Sequence, residues 1–162
     1  MKRIVIILLC LFSITSWSQN TNHISKDRKG NPMLLGTTTK VGLQQDPFNS
    51  WFSKNYNDYQ ENDKIIQSIK NDLKDYTIKA FYGTWCGDSK KEMPRFYKLI
   101  EAAKFPKNQL EVYALSNTKD AYKQGPNGEE KGYNIHRVPT FIIYKDGKEV
   151  NRIVEHLSLI HI

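Results

Sequence analysis

Apolar and polar positions alternate along this chain in two rhythms. Phe48, Trp51, Phe52, Tyr56 and Tyr59 recur at near-helical spacing, which predicts a helix whose aromatic face packs into a core. Asp46-Pro47 just before them reads as an N-cap followed by proline at the first helical position. Ile65, Ile66, Ile69 and Leu73 form one stripe of a second helix that starts near Asn62, with Lys64, Lys70, Asp72 and Lys74 facing out. Residues 77–82 are a short apolar, β-branched run, the pattern of a buried strand. A third helix follows the turn at 83–89. Met93, Phe96, Leu99, Ile100 and Ala103 share its inner face, and Pro94 is placed to kink it.

In the second half, residues 110–115 read as a strand and 116–137 as a connection with a short helical segment at 128–133. Residues 140–144 and 149–154 are apolar runs joined by Lys145-Asp146-Gly147-Lys148, and the Asp-Gly pair marks a hairpin. This order of elements predicts an α/β domain over 46–156, a mixed central sheet flanked by helices. Residues 19–45 are polar and read as a flexible lead with a short strand inside 33–42.

The N-terminus has a different character. Lys2 and Arg3 precede an apolar run from Ile4 to Phe12, and Ser16-Trp17-Ser18 places small residues where a signal peptidase reads. The expectation is a signal peptide over 1–18 and an exported protein, periplasmic or extracellular. The run is too short to span a bilayer, so no membrane attachment is expected after cleavage. Leu9 before Cys10 argues against a lipoprotein site.

Composition adds exclusions. A chain of 162 residues with 39% hydrophobic and 25% charged positions is neither collagen-like, nor multi-span, nor wholly disordered. Loss of residues 1–18 leaves 22 basic against 17 acidic side chains, a net charge of +5. The lysines are interleaved with acids, the pattern of a solvated surface, and no nucleic-acid partner is expected. Two cysteines exclude a disulfide scaffold and a cysteine-based zinc site. His23, His136, His156 and His161 lack ligand spacing, so neither a metal nor a cofactor is expected.

With Cys10 removed, Cys86 is the one remaining thiol. It stands where a buried strand turns into a helix, and a helix N-terminus favours an anion. Ser89 lies one helical turn on and is placed to donate to a thiolate; Lys90 and Lys91 add positive potential, and Asp88 partly offsets it. These features favour a reactive over an inert cysteine.

Trp85-Cys86-Gly87-Asp88-Ser89 resembles the active-site turn of the thioredoxin family, usually Trp-Cys-Gly-Pro-Cys. Pro94, eight residues after Cys86, is similar to the family's helix proline, and residues 133–140 resemble the segment that ends in a cis-proline. The likeness runs over about 76–155 and implies a thioredoxin-like fold. It also implies roles. Cys86 and Ser89 are the catalytic pair, Trp85, Gly87 and Asp88 complete the turn, and Val138, Pro139 and Thr140 bind substrate. The sequence departs from the family at Ser89, where a second cysteine is usual, at Asp88 in place of proline, and at Ala80 in place of a buried acid. The turn is closest to exported members with a monothiol W-C-G-D-S site.

The resemblance therefore implies thiol-disulfide exchange through one sulfur, an oxidoreductase- or isomerase-like activity. Its partners are disulfide-bearing or oxidised-cysteine proteins, with an external thiol for release, and a Cys86-linked dimer is a further outcome. The alternative is a non-catalytic binding module that uses the cis-proline groove. A peroxidase is disfavoured, since Gly83 stands where related peroxidatic sites carry Thr or Ser. The family's closing helix has no counterpart after Glu155, and residues 157–162 resemble a translated transposon-end sequencing adapter. The expectation is a non-native tail and a missing C-terminal helix.

Overall fold

A computed structural model describes residues 21–157. The signal-peptide reading of 1–18 and the tail reading beyond Leu157 lie outside the described residues. The strands are β1 (His23–Lys26), β2 (Pro32–Thr37), β3 (Tyr76–Tyr82), β4 (Leu110–Ala114), β5 (Thr140–Lys145) and β6 (Lys148–Val154). The helices are α1 (Lys40–Leu43), α2 (Asn49–Asp58), α3 (Asp63–Ile69) and α4 (Gly87–Ala102). The sheet order is β1-β2-β4-β3-β5-β6. Among the described residues only β3 and β4 pair in parallel, and α4 makes the crossover that parallel neighbours require. A mixed sheet flanked by helices is thus present, as the sequence pattern implied.

Most elements arise where their side chains dictate. Phe48 and Phe52 are buried, and Phe52 meets Tyr97 of α4 edge-on at 6.2 Å, so the aromatic stripe is core. Asn62 caps α3 by accepting the Lys64 and Ile65 N–H groups. Asp146 and Gly147 both have positive φ, 50° and 73°, which makes a two-residue hairpin between β5 and β6.

Three expectations are corrected. From residue 21 onward the lead expected over 19–45 is a strand hairpin followed by one helical turn, and the short strand expected inside 33–42 is its second strand, β2. Its polar residues are turn chemistry: the Asp27 carboxylate accepts the N–H groups of Lys29 (2.7 Å) and Asn31 (2.8 Å). This turn returns the chain so that Met33 and Leu34 reach the interior. Asp46-Pro47 is a cis peptide in the turn before α2 rather than a helix cap; the helix starts at Asn49, behind Phe48. Residues 128–133 form turns instead of a helix. Gly128 and Gly132 have positive φ, and the carboxylates of Glu129 and Glu130 bond the Asn127 and Gly125 N–H groups, which competes with helix formation.

After β6 the described chain contains no helix, and Leu157 is buried with its N–H donating to Glu92 Oε2 at 3.4 Å. Beside it lies an apolar groove of about 440 Å³ walled by Ile66, Ile69, Leu99, Phe105 and Ile153. The core continues from this groove to Phe141, 1% exposed, whose ring centroid is 4.5 Å from that of Phe96. Phe141→Ala is expected to lower the unfolding free energy by about 3–5 kcal/mol, read from urea denaturation. An unchanged midpoint would contradict the packing.

Candidate active site

The site forms at the C-terminal end of β3, between its parallel neighbour β4 and its antiparallel neighbour β5. Such strand ends are where open α/β sheets present loops and helix N-termini. Tyr82 closes the strand inside the core, and residues 83–86 make a turn closed by the Cys86 N–H on Gly83 O at 2.9 Å. Gly83 is required by close approach: a Cβ there would stand 2.5 Å from the Trp85 ring. Cys86 is the N-cap of α4, with φ −91° and ψ 131°, and Lys90 N–H already bonds its carbonyl. Cys86 therefore stands at the unpaired N-terminal end of a 16-residue helix. Asp88 lies in the first turn, where a carboxylate suits the macrodipole.

The half-buried Cys86 thiol donates to Val138 O at 3.3 Å. That bond brings the segment before β5 to the sulfur, and Val138-Pro139 within it is a cis peptide. Cys86 and Trp85 lean on a small cluster of Phe81, Leu115, Val138 and Ile142. Trp85 is fixed by its indole N–H on Leu115 O at 2.7 Å and by the Tyr122 ring at 5.7 Å. Tyr122 is half exposed, which extends an aromatic surface outward from the sulfur.

Other expected site residues occupy different positions. Ser89 is fully buried, and its Oγ accepts the Gly83 N–H at 3.2 Å. Helix side chains lean toward the N-terminus, so Ser89 reaches back to the turn and secures it through its oxygen, while its O–H remains a donor. Gly87 opens α4 in open space: a Cβ there would meet nothing within 4 Å, so the turn does not depend on its lacking a side chain. Thr140 is buried in β5, and its hydroxyl donates to Arg137 O at 2.7 Å, which shapes the loop before Pro139. Ala80 is buried in β3 and brings no acid. Glu92 on α4 is a buried acid, paired with Arg95 at 3.3 Å and accepting the Leu157 N–H.

The sequence reading missed the contribution of the N-terminal hairpin. Arg28 N–H donates to Asn117 Oδ1 at 3.0 Å, and Leu34 N–H donates to Thr84 Oγ1 at 3.1 Å. The hairpin is thereby fastened both to the active-site turn and to the loop after β4. The signal available was the cluster Asp27 to Pro32 between apolar Ile24 and Met33. Thr84→Val leaves the buried Leu34 N–H without a partner. It is expected to cost about 1–3 kcal/mol in urea denaturation and to speed hydrogen exchange at Leu34. Unchanged exchange there would contradict the fastening. Among the described residues, no His/Cys/Asp/Glu group has the arrangement of a metal site.

Comparison with known proteins adds four findings. The family model described as Thioredoxin matches residues 59–162. Thioredoxin-2 of Pyricularia oryzae is 21% identical over 154 residues, covering 89% of this chain and 84% of that protein. The thiol-disulfide oxidoreductase ResA of Bacillus cereus is 33% identical over 110 residues, covering 55% of this chain and 62% of that protein. Among solved structures, Fasciola hepatica thioredoxin is 23% identical with a TM-score of 0.36, covering 55% of this chain and 77% of that one.

Proposed function

Because the chain belongs to the thioredoxin family, we propose that it is an exported thiol-disulfide exchange protein that works through Cys86 alone. Its relatives include a thiol-disulfide oxidoreductase. The observation that carries the reading is the seat of Cys86: a half-buried sulfur at the start of α4, 3.3 Å from Val138 O, with a serine one turn on. The helix N-terminus favours the thiolate, and the thiolate is the nucleophile.

The exchange balances without net redox change on the protein. Cys86 thiolate attacks one sulfur of a substrate disulfide; a Cys86–substrate disulfide forms, and the other substrate sulfur leaves as thiolate and takes a proton. An oxidised cysteine in the sulfenic state is captured in the same way, with water as leaving group. Ser89 cannot displace the bound substrate, so an external thiol, or a second cysteine of the substrate, attacks the mixed disulfide and returns Cys86. Trp85 and Tyr122 offer an apolar wall to the substrate chain, and the Val138-Pro139 backbone offers its polar groups beside the sulfur. The export reading rests on the basic, apolar and small-residue pattern of residues 1–18.

The test is capture. Wild-type protein incubated with a reducible protein extract and quenched with acid is expected to carry partner proteins released by dithiothreitol, and Cys86→Ala none. Partners bound equally by both proteins, without a disulfide, would replace this reading with the binding module.

A further inference from the structure

A second cavity, of about 320 Å³, opens where the tip of the β1–β2 hairpin meets the active-site turn. Thr84 and Trp85 form one wall, adjacent in sequence to Cys86; Arg28, Lys29 and Asn117 form the other, and Lys90 of α4 completes it. Its chemistry is lopsided. Three cationic side chains face one acid, Asp27. The Asp27 carboxylate is engaged by the Lys29 and Asn31 N–H groups and by Asn31 Nδ2 at 3.2 Å. Among the described residues, no carboxylate forms a salt bridge with Arg28, Lys29 or Lys90, although Lys29 does feel the charge of Asp27. Thr84 Oγ1 and Asn117 Oδ1 each accept one backbone bond, and the Thr84 O–H and the Asn117 amide N–H groups are available as donors.

A cationic cavity lined by the turn that carries Cys86 fits an anion on the reacting molecule. We propose that it docks a carboxylate carried by the molecule whose sulfur exchanges with Cys86. The guanidinium of Arg28 supplies a planar fork for such a group. This rests on the reading of Cys86 as an exchanging thiol. The step is unchanged: the Cys86 sulfur bonds to one sulfur of the disulfide, and the other departs as a thiol carrying the second carboxylate. Two sources share the chemistry, a small carboxylate-bearing disulfide and an acidic residue beside a substrate protein's cysteine.

Adduct formation is measured with three small disulfides, dianionic dithiodipropionate, neutral hydroxyethyl disulfide and dicationic cystamine, on wild type and on Arg28→Ala/Lys29→Ala. A twin variant, Lys107→Ala/Lys148→Ala, removes equal charge. Its lysines precede β4 and open β6, at the far end of the sheet from the site. The Arg28 bond to Asn117 is made by its backbone, so alanine keeps it. The expected result is saturable reaction with the dianion, on the order of tenfold faster than with cystamine. That preference should be lost in the hairpin variant and kept in the twin, with the neutral disulfide unaffected.

A peptide disulfide with Glu beside its cysteine, and its Lys counterpart, form the second arm. Hairpin dependence in either arm supports the proposal and identifies the source. A preference lost equally in the twin variant, or no preference in either arm while the neutral disulfide reacts, overturns it and leaves the Cys86 reading standing. No adduct with any disulfide overturns both.

Discussion

Cys86→Ala is expected to reduce reaction with hydroxyethyl disulfide to the rate of buffer alone, followed by intact mass. The argument is chemical. Sulfur exchange requires a thiolate, and Cys86 is the single cysteine among the described residues. Cys86→Ser keeps an O–H donor for Val138 O, so it retains the local geometry while removing the nucleophile. The two variants should be equally inactive and close to wild type in stability. Residual reaction in either would place the chemistry elsewhere.

Ser89→Cys should change the reaction type. Residues 86 and 89 stand one turn apart on a shared helix face, so a thiol at 89 attacks the Cys86–substrate disulfide from within the same molecule. Well-placed intramolecular attack has an effective concentration far above any added thiol. The lifetime of the mixed disulfide is expected to fall by at least about 10³-fold, with an 86–89 disulfide as product. The variant gives up the Ser89 acceptor for the Gly83 N–H, at about 0.5–1.5 kcal/mol of stability. A mixed disulfide as long-lived as that of wild type would show that position 89 does not reach the sulfur.

The elements that build this site were legible in the sequence because their signals are local. The apolar run 77–82, the turn through Cys86 and the amphipathic helix after it are contiguous, and Asp146-Gly147 announces its own hairpin. What was not legible depends on partners far along the chain. The hairpin of β1 and β2 acquires its place from Thr84 and Asn117, 50 and 89 residues distant. Seen alone, its Asp, Lys, Gly and Asn are indistinguishable from a flexible lead. Spacing puts Ser89 one turn from Cys86, but does not reveal the bond its oxygen accepts from the Gly83 N–H, which depends on how the turn at 83–86 folds back. The turns at 128–133 escaped notice because Glu129 and Glu130 bond nearby backbone instead of supporting a helix.

The central claim is exchange through one sulfur without internal resolution. It is tested most directly by an intact-mass time course of the wild-type protein with hydroxyethyl disulfide, followed by removal of excess reagent. The account predicts one adduct per chain at Cys86 that persists until a thiol is added and then disappears. No adduct, or an adduct lost spontaneously in the absence of thiol, would contradict it.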